Sequence, residues 1–490
     1  MLGRFFAKRE TPASEQTREE KNLKLAEEIK EIKEEIQKIK EKIKTQGRTK
    51  EDYRKIFELT QEIEKRLKKE MKRGKVIDII EKLEQESNKR IINARDIRLQ
   101  PDGTWVGIVK LDDGRELPFV GNRLIEEIGG IKIISGIILP ALLKKLGITK
   151  ILHVFEIYPQ PTGELAGRVK LTDGRCLLFI GNRILEEIGG KKIYYVFEMH
   201  AQLDSTLAGM VKLPDDEWAL FVDNNLVEEI EGKKIEFAAD IHFQPDGTLA
   251  GRVKLRYGKE FRWVPFINSK LVQQIGGREI KSVDCIHTQA DGTLAGVAEF
   301  TDGKVVLFID DQLIEKIGGE EIKDADDIHS LPNGTLAGRV KLFYNGRWVW
   351  VPFIGDELLK KIEGEEIKDA RDIHLQPDGT LAGRVELAGG KWVPFIGKKL
   401  LKEIEGKEIK SADNIHSQPD STLAGIVELA DGRVVPFIDN KLLEKIGEKE
   451  IIYTRDIHSL PDGTLVGVVR LEDEYTKVNF FWDGERVITR

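Results

Sequence analysis

The sequence predicts a mainly β repeat body of nine three-to-four-stranded units, preceded by an N-terminal α-helical hairpin or coiled coil. Three observations carry that expectation. A unit of about 42 residues recurs nine times from about residue 89 to residue 490. Each copy centres on a Pro-Asp-Gly-Thr-like turn between two short apolar segments. The residues before the first copy instead repeat their apolar side chains at helical spacing. A period in this range marks a solenoid, propeller or array, in which no single unit can bury its apolar face alone.

The first segment, residues 1–16, reads as disordered. Residues 17–75 read as the helical arm, in which Leu25, Ile29, Ile32, Ile36, Ile39 and Ile43 alternate spacings of 4 and 3, the a/d seam of paired helices. Gly47 interrupts it, and Thr49 with Asp52 resembles a capping box opening a second helix that carries Ile56, Leu59, Ile63, Leu67 and Met71. Gly74 would close that helix. The seam demands a partner helix without naming it: the arm either folds on itself or joins other copies, and isoleucine at both a and d would favour trimers or tetramers. Residues 76–88 read as a connecting helix, leaving 89–490 to the repeats, with an insertion at about 134–150.

The clearest unit, from Ile367 to Gly406, shows how a repeat is built. Asp-Ile-His-Leu-Gln, a Pro-Asp-Gly-Thr turn and Leu-Ala-Gly-Arg-Val-Glu-Leu make two strands of a hairpin. A second turn, such as Asp173-Gly174 or Asp431-Gly432, leads to a third strand ending in phenylalanine. That phenylalanine (Phe119, Phe179, Phe221, Phe266, Phe308, Phe353, Phe395, Phe437, Phe480) occupies one place in all nine copies and reads as a core layer. The glycine of Leu-Ala-Gly recurs as regularly, which suggests close packing of neighbouring units. Pro118, Pro265, Pro352, Pro394 and Pro436 just before the phenylalanine suggest that the third strand is a sheet edge. Asn122 to Gly130, with apolar residues at i, i+1 and i+4 and a Gly-Gly end, reads as a short capped helix, followed by a brief extended link. A fourth strand is the alternative, favoured in the last unit by the hairpin-like Trp482-Asp483-Gly484-Glu485. The turn motif and the period resemble β-propeller repeats, whose four-stranded blades have 40–50 residues. The resemblance implies a closed ring in preference to an open solenoid. It carries no functional residues across, since the Gly-His and Trp-Asp pairs of tryptophan–aspartate repeats and a kelch pattern are missing.

Composition narrows the function. With 78 basic and 85 acidic residues the net charge is −7, so no global basicity draws nucleic acid. No run of 18 apolar residues suggests a membrane span. The opening residues hold no signal-peptide core and the two cysteines make no disulfide framework, so the expectation is a cytoplasmic chain. No phosphate loop, nucleophile elbow, CxxC or HExxH is present. Seven of the eight histidines (His200, His242, His287, His329, His374, His416, His458) share one repeat position. Equivalent residues of separate units are too far apart to ligate one ion, so each is expected to bond within its own unit and to make the body sensitive to pH. The turn aspartates, such as Asp246 and Asp378, read as turn formers. No catalytic residue, metal ligand or cofactor is expected, and the chain reads as a non-enzymatic scaffold for a protein partner or for self-association. Two features are candidate partner-binding sites: Ile137, Ile138, Leu139, Leu142, Leu143 and Leu146 of the insertion, and Trp218, Trp263, Trp348, Trp350 and Trp392 at the starts of third strands. The tryptophans would equally suit a glycan, and the arm would suit a structural subunit of an assembly or surface appendage.

Overall fold

A computed structural model of the chain describes residues 12–46, 49–70, 74–100, 104–135, 148–160, 164–202, 206–331, 333–472 and 477–490. Three helices come first: α1 (Pro12–Gln46), α2 (Lys50–Glu70) and α3 (Lys75–Ser87). Helix α1 starts inside the segment expected to be disordered. Ile29, Ile36 and Ile43 of its seam are buried against Ile56, Leu59 and Ile63 of α2, with Ile32 and Ile39 partly covered. The pairs Lys42–Asp52, Lys55–Glu35 and Arg66–Glu28 run in opposite directions along the two helices, so the pair is antiparallel. At the start of α2, the Asp52 backbone N–H donates to Thr49 Oγ1 over 3.1 Å. That is the side-chain cap expected from the sequence.

The unit seen most clearly in sequence has a first strand Glu365–Leu375, a second Leu381–Leu387, a third Trp392–Ile396 and a fourth Lys399–Leu400, paired in that order and antiparallel. The fourth element is therefore a strand, which corrects the helix expected from Asn122 to Gly130. In the first unit that stretch holds strands Arg123–Leu124 and Glu127–Ile128, the latter turning back onto Ile131–Lys132. The Gly-Gly pair explains the difference. Gly129 and Gly130 both take positive φ, 60° and 73°, which suits the two-residue turn of a β-hairpin. A helix stop needs only one such residue. The third strand is likewise no edge. Its fourth-strand partner pairs only with the phenylalanine and the residue after it, so the proline before them is asked for no N–H.

The first strand carries a bulge. Arg371 pairs with Arg384 and His374 with Ala382, leaving Asp372 and Ile373 opposite the single residue Gly383. Asp372 takes φ 52°, and Asp96, Asp240, Cys285, Asp327, Asn414 and Asp456 take the same left-handed conformation in other units. A Cβ at Gly383 would stand 2.7 Å from the Asp372 carbonyl oxygen and 2.9 Å from that of Arg371. At Gly425 it would stand 2.8 Å from Cε1 of Phe437, its cross-strand neighbour. The repeated glycine is thus required inside its own unit, by the bulge and the phenylalanine, and not by a neighbouring unit as the sequence suggested.

First strands of successive units touch one another, and each third strand packs against the first strand of the next unit. The ring closes where the ninth unit meets the first. Val76, Ile77, Ile80 and Leu83 of α3 share one core with Ile91 and Val106 of the first unit and with Leu460, Val466 and Phe481 of the ninth. The Val76 N–H donates to Asp462 Oδ2 over 2.8 Å, and the Arg490 guanidinium meets Glu84 at 2.5 Å. The expected closing strand is Val487–Thr489, paired with the last third strand. Nine units around a central axis, the second and third sharing one eight-stranded sheet through Tyr195 and Cys176, form a propeller-like body closed with α3. Replacing Gly383 by Ala is expected to lower unfolding stability by about 1–3 kcal/mol through overpacking. Gly389→Ala, where an added Cβ meets nothing within 4 Å, should stay within about 0.5 kcal/mol of the parent. Denaturant midpoints of the two variants test this, and equal values would refute the bulge argument.

Candidate functional site

Two regions gather chemistry, one at each end of the strands. The Pro-Asp-Gly-Thr turns and the histidines lie at one end of each hairpin. The tryptophans lie towards the second turns, at the other.

At the histidine end, the bulge of units such as the sixth to eighth leaves an Ile C=O and N–H of the first strand outside the sheet ladder. Side chains of the preceding unit take them up. His329 Nε2 donates to Ile373 O over 3.0 Å and His374 Nε2 to Ile415 O over 2.8 Å. His458 Nε2 reaches Ala94 O over 2.8 Å, from the ninth unit to the first. His242 donates from Nδ1 to Asp240 O and accepts at Nε2 from the Thr288 hydroxyl of the next unit, each over 2.7 Å. His200, bonded to Glu198 at 2.9 Å, stays within its own unit. Most of the ring therefore links units, which corrects the expectation that each histidine serves only its own. The turn aspartates do act as turn formers: Asp378 Oδ1 accepts the Thr380 N–H over 2.9 Å and Asp246 Oδ1 the Thr248 N–H over 2.9 Å.

Burial holds the His287 imidazole down at about 4, with repulsion from His242 and His329 adding to it and the bond to Cys285 O opposing it. Burial likewise lowers His242 and His416. The sign follows directly. An unfolded histidine takes a proton near pH 6.5, whereas folded His287 resists until about 4, so stability is lost as pH falls through that window.

The tryptophans share a different arrangement. Arg252 lies over Trp263 with 4.8 Å to the ring centroid, Arg339 over Trp350 at 4.9 Å and Arg384 over Trp392 at 5.1 Å. Each of these arginines also donates to a carbonyl of the next unit, Val283, Ala370 and Ala412 respectively, over 2.9 Å. Their carboxylate partners Asp240, Asp327 and Asp372 are the bulge residues themselves. Trp218 packs edge-on against Phe197 and Phe237. These four tryptophans are half-buried and brace unit against unit through cation–π and edge contacts. Trp348 differs: it is 54% exposed and packs edge-on against Phe343, itself 56% exposed.

The exposed neighbours were not singled out from sequence. Repeats four and six carry longer second and third strands, Leu249–Tyr257 with Glu260–Ile267 and Leu336–Tyr344 with Arg347–Ile354. Those extensions present Phe261, Phe343 and Trp348. The 45-residue spacings of these two units were the available signal. Of the insertion, Ile137, Ile138, Leu139, Leu142, Leu143 and Leu146 lie outside the described residues, as does the Leu25 side chain of the seam. Among the described residues no group of three His, Cys, Asp or Glu side chains converges to hold a metal ion, and no helix is long and apolar enough to cross a membrane.

No family profile and no curated protein matches the chain. Among solved structures it is similar to the Dos1 propeller, at 10% identity over 78% of this chain and 90% of that one, with a TM-score of 0.32. A puromycin-hydrolysing peptidase of Mycobacterium tuberculosis aligns at 14% identity over 69% of this chain and 53% of that one, with a TM-score of 0.30. The WD40 propeller domain of Doa1 aligns at 12% identity over 64% and 94%, with a TM-score of 0.25. Likeness at this level carries nothing about activity or partners.

The melting temperature of the parent protein is expected to fall between pH 7 and pH 4.5, and that of His287→Gln to fall less. Parallel loss in both, followed by calorimetry, would show that His287 does not contribute to the acid sensitivity.

Proposed function

We propose that the ring is a non-enzymatic protein-interaction scaffold that docks a partner on the face carrying the second turns. One observation supports this above the others. Among the described residues, the large apolar side chains left exposed are Ile148, Tyr194, Phe197, Phe261, Phe343, Trp348 and Tyr453, and they belong to the second-turn ends of their units. Aromatic side chains gathered on one face of a rigid body are the usual anchors of a protein interface. Lys254 and Arg256 lie against Phe261, at 4.9 and 5.2 Å from its ring centroid. Neither forms an ion pair among the described residues, so a partner presenting apolar side chains together with carboxylates would suit the surface.

The opposite face is less free, because α1 and α2 lie over the turn ends of repeats one to five. The seam of α1 is also occupied within the chain by α2. That leaves the aromatic face as the stronger candidate, ahead of an oligomeric stem. The histidines and turn aspartates, most of them engaged in bonds that hold the ring, support the non-enzymatic part of the reading.

Partners retained by the immobilised parent protein are expected to be lost from the double variant Phe343→Ala/Trp348→Ala. They should be kept by Lys55→Ala, a change at an exposed ion pair on the helical pair, away from that face. Retention of the same proteins by the double variant would reject this face as the docking surface. A glycan array in which only the parent binds would move the reading to carbohydrate recognition.

A further inference from the structure

A cavity of about 890 Å³ lies between the helical pair and the mouth of the ring. Its roof is the inner side of the α1–α2 seam, with Ile29, Ile36, Phe57 and Ile63. Its floor is the histidine end of the first five units, where the residue before each turn is a glutamine: Gln100, Gln160, Gln202, Gln244 and Gln289. Roof and floor meet at Lys40, whose Nζ donates to Gln202 Oε1 over 3.1 Å.

The polar lining is one-sided. Among the described residues, no aspartate or glutamate lines the cavity, whereas Lys30, Lys33, Lys40 and Arg98 do. Lys33 meets no carboxylate among the described residues, and burial alone pulls its ammonium below the usual lysine range. Among the described residues, the Gln100, Gln202 and Gln289 amide nitrogens are buried donors with no acceptor. Gln100 and Gln289 are each only 4% exposed. Buried donors left without acceptors are costly, and several around one space, beside an unpaired cation, call for an acceptor that carries negative charge. The rest of the wall is aliphatic and aromatic, which calls for an apolar body.

We infer that this cavity binds a small amphipathic anion, an aliphatic monocarboxylate. The carboxylate would sit between Lys33 and the glutamine amides, and the chain would lie along the isoleucine seam. The argument is independent of the docking face, which lies at the other end of the strands. A ligand held between arm and ring would also pin the arm in place, because it would contact both.

Titration calorimetry of the full-length chain with decanoate, kept below its micelle concentration, tests the inference. One decanoate per chain is expected, with at least tenfold weaker binding of decanol. Lys33→Met should weaken decanoate at least tenfold, and Gln289→Leu several-fold, with unchanged circular dichroism. Decyl phosphate binding more tightly than decanoate would replace the carboxylate with a phosphate ester as ligand. Equal binding of decanoate and decanol, or parental decanoate affinity in both Lys33→Met and Gln289→Leu, would overturn the proposal. So would no binding of any of the three probes to the parent protein.

Discussion

Nearly everything repetitive in this molecule depends on one local constraint, the glycine that faces a bulge in the first strand of every unit but the third. The bulge needs a left-handed residue, commonly an aspartate or asparagine, and space opposite that only glycine leaves. The phenylalanine of the third strand then lies over the same glycine and fills the interior of the unit. A larger residue at the glycine would press on backbone carbonyls, which cannot rotate away as a flexible side chain can.

The bulge also sets how units join. It takes an isoleucine N–H and C=O out of the ladder, and such groups must find partners when buried. The preceding unit supplies them with histidine and aspartate, while its arginine reaches a nearby alanine carbonyl. The interface is therefore directional: each unit offers donors forward and open backbone groups backward. A linear stack would leave one end with unmet donors and the other with unmet acceptors. In the ring, His458 reaches Ala94, and α3 fills the seam with its own apolar side chains. Asp462, a turn aspartate like the others by sequence, is buried there and holds the first turn of α3.

The same geometry divides the surface between two kinds of chemistry. Turn-end side chains face the helical pair and border a partly open space rich in donors, while the second-turn end is left with aromatic side chains and long hairpins. Four of the five tryptophans singled out from sequence are occupied by packing and by arginine stacking, and only Trp348 stands clear. Tryptophan placement in sequence cannot separate these roles, because its stacking partner lies on another strand.

The period, the turn motifs, the phenylalanine layer and the isoleucine seam are local or strictly repeated features. They were enough to determine a β repeat body with paired helices before it. Tertiary structure decided the rest. The segment after each third strand became a strand because paired left-handed glycines turn it back, although its apolar spacing also suits a helix. The histidines became ties between units because the bulge opens carbonyls that only a neighbour can reach. The glutamines before the turns recur at one repeat position without revealing what they face, and the helical pair laid across the first five units gathers their amides around one partly open space. These outcomes depend on groups distant in sequence and brought together by ring closure, which no window of a single repeat contains.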